Sequence, residues 1–133
     1  MQENYTIAEG ARISIVDDNE SMREAMKVLI GSMGLGVEGF SSAEAFLNSG
    51  RSHLFDCLIL DVRMPGLSGL ELQRRLAADD CPLPIVFMTA YYGEETRTTA
   101  MEAGAVDFLS KPFTEQELLK AIGKSLAMNK TDR

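Results

Sequence analysis

Asp61 closes the apolar run at 57–60 and stands just before a turn signal, Met64-Pro65-Gly66. Three other apolar runs end in polar residues the same way. The run at 13–16 ends in Asp17-Asp18, the run at 85–88 in Thr89, and the run at 105–109 in Ser110-Lys111-Pro112. Short apolar runs bounded by turn residues predict strands buried on both faces of a parallel sheet. The carboxyl ends of such strands line one edge, where open α/β sheets bind ligands. Three carboxylates, a hydroxyl and an amine then meet at a single site.

Carboxylates packed together repel one another unless a cation joins them. With no Cys or His nearby, the donors are all oxygen, which suits Mg2+. Lys111 brings a second positive charge and is also a structural partner for the acids. A carboxylate can attack phosphorus and form an aspartyl phosphate. The remaining work is positioning and charge neutralisation on the phosphoryl oxygens. Mg2+ can take one oxygen, Lys111 a second and the Thr89 hydroxyl a third.

These groups must be held by the rest of the chain. Strands are expected at 12–17, 37–40, 57–61, 85–88 and 105–109. The second alternates in polarity and is placed at the sheet edge. Helices are expected at 19–33, after a capping box of Ser41 and Glu44, at 68–78, at 93–103 and after a second capping box of Thr114 and Glu117. Gly34 is read as the cap ending the first helix. The fourth helix is threonine-rich and offers little beyond Ala100 and Ala103 to bury, so it is a candidate moving part. Five strands alternating with five helices predict an α/β fold: a flavodoxin-like, doubly wound, five-stranded parallel sheet of order 2-1-3-4-5 with helices on both faces. That order makes the first and third strands neighbours. Residues 1–10 and 129–133 read as polar tails around a domain at 11–128.

With 133 residues and 45% hydrophobic content, one domain with a full core is expected. A net charge of −7 argues against direct nucleic-acid binding. No membrane-spanning or signal-peptide pattern is visible. The two cysteines have no metal or disulfide spacing, which suits reduced thiols in the cytoplasm. His53, the one histidine, falls in a surface loop away from the strand ends.

Together, Val16-Asp17-Asp18-Asn19, Leu60-Asp61-Val62-Arg63-Met64-Pro65-Gly66, Met88-Thr89-Ala90 and the run from Asp107 to Phe113 resemble the receiver domain of two-component response regulators. The likeness spans residues 12–126 and is greatest to the nitrogen-fixation-type regulators that carry a helix-turn-helix output domain. It implies that Asp61 is the phosphoacceptor for a sensor histidine kinase. It implies Mg2+ held by Asp18 and Asp61 directly, by Asp17 through water and by the Arg63 backbone carbonyl. Thr89 and Lys111 would contact the phosphoryl group, Phe108 would be the switch aromatic, and Lys111-Pro112 would be cis. Phosphorylation would draw Thr89 inward, let Phe108 turn inward and promote a homodimer through the fourth helix and fifth strand. Arg63 and Tyr91, flanking the site, are read as modulators of water access. Such a domain catalyses only its own phosphorylation and dephosphorylation, to control an output such as transcription.

Three other readings fit less well. A haloacid-dehalogenase-like phosphatase needs an acid two positions after its nucleophile, where this chain has Arg63. A flavin carrier of similar fold needs a phosphate-cradling loop where this chain has Asp17-Asp18-Asn19. A receiver-like interaction module that is never phosphorylated would have no need for the complete set of acids, Thr89 and Lys111.

Overall fold

The computed structural model describes residues 10–90 and 93–131. Its strands are β1 (Arg12–Val16), β2 (Gly36–Phe40), β3 (Cys57–Asp61), β4 (Ile85–Thr89) and β5 (Asp107–Ser110). Its α-helices are α1 (Glu20–Gly31), α2 (Ala43–Asn48), α3 (Gly69–Ala78), α4 (Glu94–Glu102) and α5 (Glu115–Thr131). All strand pairs are parallel, in the order β2-β1-β3-β4-β5. The expected fold and strand order are both present.

Successive strand residues point to opposite faces, so the sheet feeds two cores. On one face, Leu58, Leu60 and Phe87 pack with Phe46 of α2, Leu72 and Leu76 of α3 and Ala100 of α4. On the other, Ile15, Ile59, Val86 and Met88 pack with Met26 and Ile30 of α1 and Leu118 and Ile122 of α5. Covering both faces is what allows β3 and β4 to be apolar up to their last residues, Asp61 and Thr89. Each fully buried Leu or Ile contributes about 2 kcal/mol of apolar transfer.

Side-chain caps start α1, α2, α3 and α5, while α4 begins after Gly93 with none. Asn19 accepts from the Met22 N–H at 2.9 Å, which begins α1 directly after the acid pair. Thr114 and Glu117 form the expected capping box. Ser68 and Glu71 form another that the sequence reading passed over. The Ser41–Glu44 box is not formed. Ser42 caps α2 instead, and the Glu44 carboxylate accepts from the Leu67 N–H at 2.9 Å, in the loop after β3. That bond satisfies a loop donor far along the chain, so the tertiary partner displaces the local one.

Gly34 is not the cap of α1. The helix ends at Gly31 with Ser32 as its cap, and Gly34 takes the left-handed conformation (φ +83°) two residues later, turning the chain into β2. A short 3-10 turn, Ser52–Leu54, carries the exposed His53. The last helix runs on to Thr131, into the stretch read as a tail.

Candidate functional site

Parallel pairing brings Val16 opposite Leu60, so the residues that follow, Asp17 and Asp61, lie side by side at the carboxyl edge. Asp17 is 0% exposed and held on every side. Its N–H donates to the Phe40 carbonyl at 3.2 Å, and its own carbonyl accepts from Arg23 Nη1 at 2.8 Å. Oδ1 accepts from the Asn19 N–H at 2.9 Å, and Oδ2 accepts from Lys111 Nζ at 3.1 Å. Asp61 is 7% exposed. Its Oδ1 accepts from the Arg63 N–H at 3.2 Å, and its Oδ2 lies 3.4 Å from the same Lys111 ammonium.

Lys111 therefore bridges two buried carboxylates. Burial raises the Asp61 carboxyl to about 6, and the neighbouring Asp17 adds to the rise, while Lys111 and the Arg63 N–H pull it back. Asp18 is exposed, and carboxylate oxygens of Asp17, Asp18 and Asp61 lie within 4.8 Å of one another. This fits a hard divalent cation: every donor is oxygen, and the exposed acid leaves one side open to solvent.

Thr89 is buried at the last position of β4, the strand next to Asp61. Its carbonyl accepts from the Lys111 N–H at 2.7 Å, which ties the hydroxyl-bearing residue to the amine-bearing one. The Lys111-Pro112 peptide is cis, as the resemblance implies. The Arg63 side chain is exposed beside the site. Tyr91 lies outside the described residues.

Phe108, the residue read as the switch aromatic, is 7% exposed and packs on Phe87, with ring centroids 6.1 Å apart. The apolar face beneath β4 and β5 has room for it in this arrangement.

Sequence reasoning missed Arg23, and it gave Glu44 a capping role in place of its bond to Leu67. The available signals were a cation one turn into the helix that follows an acid pair, and an acid in α2 whose partner lies 23 residues on.

The sequence matches the family described as the response regulator receiver domain over residues 13–123. It is 47% identical to the response regulator protein TodT of Pseudomonas putida over 116 residues, covering 87% of this chain and 51% of that protein. It is 41% identical to the transcriptional regulatory protein FixJ of Bradyrhizobium diazoefficiens over 114 residues, covering 86% of this chain and 56% of that one. Among solved structures, the response regulator StyR superposes with a TM-score of 0.87 at 45% identity, over 93% of this chain and 63% of StyR. The chain spans about half the length of the curated relatives it matches. On the residues matched and the fold, this chain belongs to the response regulator receiver domain family.

Proposed function

We propose that Asp61 is the phosphoacceptor of a two-component signalling system and takes its phosphoryl group from the phosphohistidine of a sensor kinase. The observation that carries this reading is the Lys111 ammonium bridging Asp17 and Asp61 beside the exposed Asp18. An Asp61 oxygen attacks phosphorus, the P–N bond breaks, and the imidazole leaves with the electron pair. Lys111 neutralises one phosphoryl oxygen and the Thr89 hydroxyl donates to another. Asp18, Asp61 and the Arg63 carbonyl, with Asp17 through water, would hold Mg2+, which when bound supplies further positive charge to those oxygens. The domain is a regulatory phosphoacceptor rather than an enzyme acting on a separate substrate. The domain proper is residues 11–128.

In this reading the receiver is a two-state switch. Phe108 inside, against Phe87, is the arrangement the phosphorylated state favours, and the other state has the ring turned out. Thr89, α4 and β5 respond together and present a face for an output or for a second copy. Sedimentation before and after phosphorylation tests the homodimer; a monomer in both defeats it. Arg63 and Tyr91 gate water at the acyl phosphate, and unchanged decay rates in R63A and Y91A would remove them from that role. Location in the cytoplasm agrees with this reading, and among the described residues no helix is long and apolar enough to cross a membrane.

The central test is incubation with acetyl phosphate and Mg2+, read by intact mass. One phosphoryl group should add to the parent and none to D61N. A parent that stays unmodified, or a D61N protein that gains the same mass, overturns the assignment.

A further inference from the structure

We propose that Arg23 is a positioning residue for the acid pocket, reaching it across Gly39 on the edge strand. The inference rests on the reading of the pocket as a Mg2+ site.

The Asp17 peptide is where the chain leaves the sheet. Its N–H still bonds to β2, at the Phe40 carbonyl, but its own carbonyl lies beyond the last residue of β1. A buried carbonyl at that point needs a donor. Arg23 supplies it: the side chain reaches back from α1 and Nη1 stands 2.8 Å from that oxygen. The peptide so gripped is the one that leads into Asp18. Holding it sets the direction in which Asp18 leaves the backbone, and Asp18 is the exposed carboxylate of the three.

Gly39 lies beneath the path that Arg23 takes. A Cβ at this position would lie 3.5 Å from Arg23 Cδ and 3.9 Å from Arg23 Cβ, with Lys27 Cδ at 3.4 Å. The arginine stem therefore crosses the strand over the glycine. The backbone there is not in the left-handed region, so no conformational demand calls for glycine. A strand position would ordinarily favour a β-branched residue. A lone Cβ there would meet both stems at ordinary contact distance, whereas the further carbons of a valine would press on them.

The sign of the effect separates positioning from simple charge. A nearby guanidinium repels a second cation, so if charge were its whole contribution, removing it would tighten Mg2+ binding. A positioning role predicts the opposite, as groups that orient metal ligands typically do.

Calorimetric titration of the full chain with Mg2+ tests this. R23M keeps most of the stem but loses the donor, and is expected to bind about 10-fold more weakly. G39V should also weaken binding, but should add nothing in an R23M background. K27M, which loses a neighbouring cation over the same glycine, should stay within about twofold of the parent. Folding of each variant is checked by circular dichroism in EDTA. Should R23M fail to fold, R23K provides the same test, since its single compact ammonium is a poorer match to that carbonyl. R23M binding as tightly as the parent or tighter, or K27M losing as much as R23M, overturns the inference. A parent that binds no Mg2+ overturns the metal-site reading itself, whereas equal binding by parent and R23M defeats only the role of Arg23.

Discussion

The Gln73 side-chain amide donates to the Ala100 carbonyl at 3.1 Å, so a buried group on α3 holds the last turn of α4. Ala100 is the one buried residue among those of α4, and its carbonyl also accepts from the Ala105 N–H at 3.0 Å. A helix so thinly packed depends on such a tether. Gln73→Leu should cost about 1 kcal/mol, because the carbonyl keeps its second donor. Hydrogen exchange should accelerate across α4 and not across α1 or α5. Uniform acceleration, or none, would show that Gln73 does not govern α4.

Asp61 makes stability depend on pH with a definite sign. Its folded carboxyl titrates at about 6, above the ordinary carboxylate value. The folded protein therefore binds this proton more tightly than the unfolded chain does. The stability it contributes is fully present below the ordinary value and is lost as pH rises through about 6. At about pH 7.5 in EDTA, D61N should be more stable than the parent by on the order of 2 kcal/mol, and the gap should close toward about pH 4. Urea midpoints at several pH values check this; a D61N protein no more stable at the higher pH contradicts it.

Gly69 sits where the first turn of α3 meets the end of β3. A Cβ there would run into the Asp61 carbonyl oxygen and lie 3.1 Å from Val62 Cα. Backbone cannot swing aside as a flexible side chain can. Gly69→Ala should destabilise by about 2 kcal/mol and slow phosphorylation of Asp61 by displacing its peptide. Near-parental stability and rate would mean that the helix accommodates the methyl by a small slide.

The two thiols should react differently. Cys57 is fully buried in β3, and burial pushes its thiol up to about 12; burial also raises Cys81, which is only half-buried. An aromatic disulfide reagent should modify one thiol slowly in the native protein and both in urea. Peptide mapping should place the native label on Cys81. Rapid labelling of Cys57 would mean that β3 opens readily.

The strands, their order and the acid edge were legible because each rests on a local pattern. Apolar runs ending in Asp17-Asp18, Asp61, Thr89 and Lys111 need only the period of a strand and the topology of a doubly wound sheet. The Thr114–Glu117 box was legible for the same reason. The Ser41–Glu44 box satisfies the same local rule, yet Glu44 serves Leu67. A spacing motif carries no information about a competing donor elsewhere in the fold. Arg23 was silent because its partner is a backbone carbonyl, which no sequence displays. Phe108 could be placed on β5, but which way its ring points depends on the space beside Phe87.

The two cores have a consequence for how such a molecule can change. Along β4, Phe87 feeds one and its neighbours Val86 and Met88 feed the other, with no side chain belonging to both. Altered packing beneath α1 and α5 thus has only the strand backbone through which to disturb α3 and α4. A substitution in one layer of helices is therefore felt first by the sheet and only through it by the helices opposite.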